Sequence, residues 1–342
     1  MKIGVLTGGG DCPGLNAVIR AIGRKGIVQY GDEIIGIKNG WAGLMKLNYI
    51  ILERKALSGI LHLGGTILGS SRTNPEKEEG GYTLIIENFK KLGLDALIVI
   101  GGNDTLGVAQ KLHEMGIPIV GVPKTIDNDI CATDMTFGFD TAVSVATEAI
   151  DRLHSTAESH HRCMVVEVMG RHAGWIATYS GIAGGADFIL IPEEQYTLDD
   201  IITVLQRRIE KGKSFSIIVA AEGAKLKETG IIAQSKEMDD FGNVRLGGIG
   251  DGLARAIEKR TGIESRAVVL GHVQRGGTPT AFDRVLGTKY GVAAIELVHE
   301  GKFGMMTSLQ GTKIKPVPIL DGVKESKIVD KETYEVAKTF FE

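Results

Sequence analysis

Short apolar runs, each closed by a polar loop containing glycine and then a helical pattern, recur along this chain and limit what it can fold into. Ala96-Leu-Ile-Val-Ile100 runs into Gly101-Gly-Asn-Asp-Thr105, and Ile117-Pro-Ile-Val-Gly-Val122 into Pro123-Lys-Thr-Ile-Asp-Asn-Asp129. Met164-Val-Val-Glu-Val168 runs into Met169-Gly-Arg-His-Ala-Gly174, and Ala267-Val-Val-Leu270 into Gly271-His-Val-Gln-Arg-Gly-Gly277. Such runs read as buried strands. Strands alternating with helices argue for parallel sheets covered by helices, an α/β fold. The expected strands are 2–7, 33–37, 96–100, 117–122, 163–168, 187–191, 215–220 and 266–270. The expected helices are 14–30, 104–115, 140–158, 173–184, 198–211, 248–260, 280–300 and 331–341.

Length and charge narrow the function. A chain of 342 residues has room for about two domains. Its 39 basic and 42 acidic residues nearly cancel, so nucleic acid is not an expected partner. The most membrane-like run, 173–192, is broken by glycine pairs, Ser180 and Asp187, and the opening Lys2–Thr7 run reads as a strand, not a signal peptide. No membrane partner and a cytoplasmic location are therefore expected. Cys12, Cys131 and Cys163 are odd in number and lack metal-ligand spacing, so no disulfide framework is implied. The 47 glycines gather at strand ends, as in a chain whose backbone comes close to ligands. The polar stretch 225–247 is the expected long excursion.

Ligands of open α/β sheets lie beyond the carboxyl ends of the strands. The 123–129 turn places a lysine, a hydroxyl, an amide and two carboxylates there. Asp127 and Asp129 are two apart and point the same way if the segment is extended. Asp, Asn and Thr are also ordinary turn residues, so this segment alone does not decide between a site and a solvated turn. The loops together carry more weight. Glycine lets backbone N–H groups approach oxygens and arginine clamps them bidentately, so phosphate is the ligand this set suits.

Five motifs, in order, carry a resemblance: Gly8-Gly-Gly-Asp11, Gly101-Gly-Asn-Asp-Thr105, Thr125-Ile-Asp-Asn-Asp129, Met169-Gly-Arg171 and Gly271-His-Val-Gln-Arg-Gly-Gly277. Over essentially its whole length the chain resembles the 6-phosphofructokinase family of bacterial type. The resemblance implies two similar three-layer lobes with mainly parallel sheets. It assigns 1–138 with roughly 252–305 to a donor-binding lobe, and 139–251 with roughly 306–320 to a sugar-phosphate lobe. A C-terminal helix would span 321–342.

The same resemblance implies roles. Asp127 would be the base that takes the proton of the sugar 1-hydroxyl, with Thr125 positioning the transferred phosphoryl group and Asp129 assisting. Arg72 and Arg171 would stabilise charge, and Gly10 would offer its N–H to donor phosphates. Arg162, Met169, Gly170, Glu222, Arg266, His272 and Arg275 would hold fructose 6-phosphate. Arg162 and Arg266 would reach in from a neighbouring subunit, so a homodimer or homotetramer with shared active sites is expected.

Asp104 and Lys124 bear on the donor. Relatives that use ATP usually carry Gly at the position of Asp104; those that use pyrophosphate usually carry Asp there and Lys at the position of Lys124. A carboxylate about 4 Å from an α-phosphate costs roughly 4 kcal/mol at an effective dielectric near 20, about three powers of ten in affinity. Inorganic pyrophosphate is thus the expected donor to fructose 6-phosphate, with Mg²⁺ as cofactor, and the chain is expected to be most like pyrophosphate-dependent members of the family. Asn103 stands where an acid tied to Mg²⁺ is usual, and a neutral carbonyl is a weaker ligand. An ATP-dependent kinase, a kinase acting on another sugar phosphate and a non-catalytic sugar-phosphate sensor stay open as alternatives.

Overall fold

The computed structural model describes residues 1–227 and 248–341. Thirteen strands occur in chain order among them: β1 (Lys2–Thr7), β2 (Glu33–Ile37), β3 (Tyr49–Ile51), β4 (Ala96–Gly101), β5 (Ile119–Pro123), β6 (Cys163–Val168), β7 (Phe188–Leu190), β8 (Gln195–Tyr196), β9 (Ser216–Ala221), β10 (Lys225–Leu226), β11 (Ser265–Val269), β12 (Met305–Gln310) and β13 (Lys313–Pro318). Every strand and helix expected from the sequence forms, so the expected α/β architecture holds. The last part of the first expected helix continues beyond Leu15–Lys25 as a π-helical turn, Gly26–Tyr30.

Two sheets organise the molecule. The larger runs β13-β12-β5-β4-β1-β2-β3, with β5-β4-β1-β2 parallel. Alternate side chains of its central strands feed different cores: Ile98 and Ile100 enter one, Leu97 and Val99 the other. This is the period-two pattern of a sheet covered on both faces. The helices Leu15–Lys25 and Ala281–His299 pack together on the first face, while Gly81–Lys91 and Asn103–Glu114 fill the second. The smaller sheet, β11-β6-β9-β7, is parallel throughout and is flanked by Phe139–His160, Trp175–Ala183, Leu198–Glu210 and Ile249–Thr261. No described helix is long and apolar enough to cross a membrane.

Strand pairing moves the expected lobe boundaries. Residues 252–269 were expected with the first lobe, yet β11 pairs with β6 of the second sheet and the helix Ile249–Thr261 packs on both strands. Residues 306–320 were expected with the second lobe, yet β12 pairs with β5 of the first sheet and β13 closes a hairpin on β12. The β13 run Lys-Ile-Lys-Pro-Val-Pro hides from an apolar-run reading because an edge strand tolerates proline and exposed lysine. The C-terminal helix is confined to Lys331–Lys338, since the preceding backbone donates elsewhere: Lys327 N–H to the Asp129 carbonyl (2.7 Å) and Val329 N–H to Glu193 Oε1 (2.9 Å). The excursion expected over 225–247 lies, from 228 onward, outside the described residues.

Candidate active site

Strand-end loops of both sheets converge on one cavity of about 590 Å³. The first lobe contributes Gly9 and Gly10 after β1, Gly102 to Thr105 after β4, and Lys124, Thr125, Asp127 and Asp129 after β5. The second contributes Met169, Arg171, Glu222, His272 and Arg275. Arg72 arrives on the loop leading from Leu68.

The β1 loop is held open by its neighbours. Gly8 N–H donates to the Ile100 carbonyl (3.0 Å), and Gly9, at φ +79°, donates to the Ser71 carbonyl (3.0 Å). A Cβ on Gly10 would stand 2.7 Å from an Arg275 guanidinium nitrogen, so any larger residue displaces that cation. Lys124 Nζ reaches across and donates to the Gly10 carbonyl (2.5 Å). Lys124 is 3 % exposed, and burial pulls its pKa down. A buried ammonium whose charge is costly becomes more favourable when an anion enters beside it.

The helix Asn103–Glu114 starts at the cavity wall, so its first N–H groups face incoming oxygens. Asp104 sits in that first turn at the exposed rim. Solvent therefore weakens its repulsion of a further phosphate toward the roughly 1 kcal/mol of two charges 4 Å apart in water. Asn103 Oδ1, by contrast, is buried with no hydrogen-bond partner among the described residues. Among the described residues no three His, Cys, Asp or Glu side chains gather to hold a metal. Mg²⁺ commonly takes one or two protein oxygens and completes its shell with phosphates and water, so the Asn103 carbonyl suits an ion arriving with the donor.

The acidic turn after β5 is not extended. Asn128 lies in the left-handed region at φ +52°, and its buried side chain accepts from Thr136 N–H (3.0 Å). The kink, not strand alternation, brings both Asp127 and Asp129 to the cavity. Thr125 Oγ1 accepts from the Asp127 N–H (3.0 Å) and stands 3.3 Å from Asp127 Oδ2, which fixes that carboxylate beside the hydroxyl. Burial first, then the Asp127 charge, pushes the Asp129 carboxyl up. Arg275 spans the lobes, with Nη2 4.0 Å from Asp127 Oδ2 and Nη1 3.3 Å from the Asp11 carbonyl.

On the second lobe, Gly170 adopts φ +135°, and a Cβ there would lie 2.8 Å from the Ala173 carbonyl. Only glycine fits, and the bend presents Met169 and Arg171 on the cavity wall. Burial and then the Asp127 charge raise the Glu222 pKa to about 7, with Arg171 opposing. Gln274, fully buried, ties the loops together by accepting from Met169 N–H (3.3 Å) and donating to the Gly271 carbonyl (3.0 Å).

The cavity thus gathers all the sequence-derived candidates except three. Gly170 shapes the wall from behind. Arg162 and Arg266 stand outside it, on the open edge of the second sheet, where both pair with Glu264 (2.7 and 2.5 Å). Sequence reasoning passed over His172 and Thr105, which lie within its own motifs, and Ser326, which no motif marks.

A cavity between two helix-covered lobes, lined by Arg72, Lys124, Arg171 and Arg275 and by the carboxylates of Asp104, Asp127, Asp129 and Glu222, suits a two-lobed α/β phosphotransferase. The chain belongs to the phosphofructokinase family, whose profile matches residues 2–298. The Streptomyces coelicolor protein named pyrophosphate–fructose 6-phosphate 1-phosphotransferase is 56% identical over 100% of both chains. An ATP-dependent 6-phosphofructokinase 3 of the same organism is 53% identical over 99% of each. The solved pyrophosphate-dependent phosphofructokinase of Nitrosospira multiformis shares the fold, with a TM-score of 0.84 at 22% identity over 99% of this chain and 90% of that one.

Proposed function

We propose that this enzyme transfers a phosphoryl group from pyrophosphate to the 1-hydroxyl of D-fructose 6-phosphate, reversibly and with Mg²⁺. The observation that carries the reading is the placement of Asp104 and Lys124 on one wall of the cavity that Asp127 faces. Phosphoryl transfer asks for alignment, charge neutralisation and a base. The Asp127 carboxylate, steadied by Thr125, takes the proton of the 1-hydroxyl. The alkoxide oxygen bonds to phosphorus, the bridging P–O bond of pyrophosphate breaks, and orthophosphate leaves with the bonding pair. Arg72 and Arg171 stabilise the charge spreading over the transferred group, and Lys124 neutralises the leaving phosphate. Gly10 and the helix beginning at Asn103 offer N–H donors to the donor phosphates. Asn103 would hold Mg²⁺ together with the donor phosphates, and the ion would supply neutralisation of donor charge.

Glu222, Met169, Gly170, His272 and Arg275 line or shape the half of the cavity assigned to the sugar phosphate. Arg162 and Arg266, which pair with Glu264 outside the cavity, would serve the active site of a second copy in a homodimer or homotetramer. ATP as donor is the second reading, favoured by the exposed position of Asp104 and by the ATP-dependent relative. The reverse reaction separates them. Fructose 1,6-bisphosphate and orthophosphate, with Mg²⁺ and no nucleotide, should yield a pyrophosphate resonance in ³¹P NMR. No pyrophosphate from an enzyme that consumes ATP in the forward direction contradicts the proposal.

A further inference from the structure

Beyond the last strand the chain crosses from the acidic turn to the second lobe as an extended strap. Ser326 bridges to Ile130 and lines the cavity, and Lys327 N–H donates to the Asp129 carbonyl (2.7 Å). The Lys327 ammonium donates to Asn128 Oδ1 (3.1 Å) and to the carbonyls of Thr133 (2.9 Å) and Asp134 (2.8 Å), so all three of its protons are used. Asn128 is the left-handed residue between the two aspartates. The other side of the strap is fastened to the second lobe. Trp175 Nε1 donates to the Lys327 carbonyl (3.0 Å), the ammonium lies 5.4 Å from the Trp175 ring centre, and Val329 N–H donates to Glu193 Oε1 (2.9 Å). Glu193 also accepts from Gly174 N–H (2.9 Å), at the end of the loop carrying Met169, Gly170 and Arg171.

We propose that Lys327 is a positioning residue: it fixes the Asp127–Asp129 turn on one side and, through the strap, the Arg171 loop on the other, so that base and arginine keep their places across the cleft. The inference rests on the reading of Asp127 as base. A left-handed non-glycine residue persists only where its surroundings hold it, and Lys327 supplies that hold through Asn128. A half-buried ammonium is retained where its protons are satisfied and an aromatic face lies beneath it, as here. Lys327 is not among the residues that line the cavity, so its contribution is geometric.

Lys327→Met keeps the aliphatic stem and removes the three donors; Asn128→Gly keeps the φ angle and removes the acceptor. Each should lower kcat about 10- to 100-fold, the size of effect a misplacement near 1 Å produces, with the KM for fructose 6-phosphate within about three-fold. The double variant should be no slower than the slower single one. Amide hydrogen exchange over 125–136 should quicken at least about ten-fold in Lys327→Met, a readout independent of turnover. A folded Lys327→Met enzyme with wild-type kcat, a loss carried by KM alone, or unchanged exchange overturns the inference. Should that variant not fold, wild-type kcat in Asn128→Gly overturns it. A wild-type enzyme that turns over neither pyrophosphate nor ATP contradicts the proposed function instead, and the exchange measurement still decides the role of Lys327.

Discussion

The Lys124 ammonium stands 2.5 Å from the carbonyl oxygen of Gly10, joining the loop after β5 to the loop after β1 beneath the same cavity. A buried cation so placed draws an anion to the glycine loop. Lys124→Met, which keeps the stem volume, should lower kcat with pyrophosphate by about 100-fold or more, as loss of a preorganised charge donor does. Initial rates on the folded variant check this, and a kcat near wild type would remove Lys124 from the transfer step.

Asp127→Asn keeps the contacts of the turn and removes the proton acceptor. Turnover should fall about 10²- to 10⁴-fold, the usual worth of a positioned base, while fructose 6-phosphate affinity measured by calorimetry stays within about three-fold. Parallel losses in binding and turnover would make Asp127 a substrate-holding group instead.

Asp104→Gly should admit ATP. The rim position lowers the charge penalty from roughly 4 toward 1 kcal/mol, so ATP affinity should rise by about 5- to 1000-fold. Competition titrations against pyrophosphate measure it, and unchanged ATP affinity would discard the charge argument.

How much of this was legible in the sequence follows from where the information sits. Apolar runs such as Ala96–Ile100 announced their strands, and glycine-bearing loops announced the cavity, because burial and backbone approach leave local marks. The β12–β13 hairpin did not, since lysines and prolines on an exposed edge look like loop. Nor did the geometry of the acidic turn. Its kink at Asn128 is set by Thr136 and Lys327, and the latter is 199 residues away along the chain. No local pattern encodes such a contact.

Glu222 gives a pH dependence with a definite sign. Its carboxyl is pushed from 4.5 to about 7 in the folded chain, so the native state holds a proton that the unfolded state has released between those values. Its effect is to lower stability as pH rises through that window and to level off above about 7. Glu222→Gln removes the effect. The variant should match wild type near pH 4.5 and exceed it at pH 8 by on the order of 2 kcal/mol, read from denaturant titrations. An equal difference at both pH values would contradict the cause.

Asn103 offers a buried carbonyl oxygen without a hydrogen-bond partner among the described residues, where a carboxylate would bind magnesium more tightly. Asn103→Asp should lower the Mg²⁺ concentration for half-maximal rate. An unchanged magnesium titration would mean that this oxygen does not face the ion.

The most direct test compares donors in one assay: formation of fructose 1,6-bisphosphate from fructose 6-phosphate and Mg²⁺, with pyrophosphate or ATP at equal, subsaturating concentration. We expect turnover with pyrophosphate to exceed that with ATP by about 5- to 1000-fold, the discrimination that the Asp104 charge supplies between a fully solvated and a shielded position. Faster turnover with ATP would contradict the pyrophosphate reading.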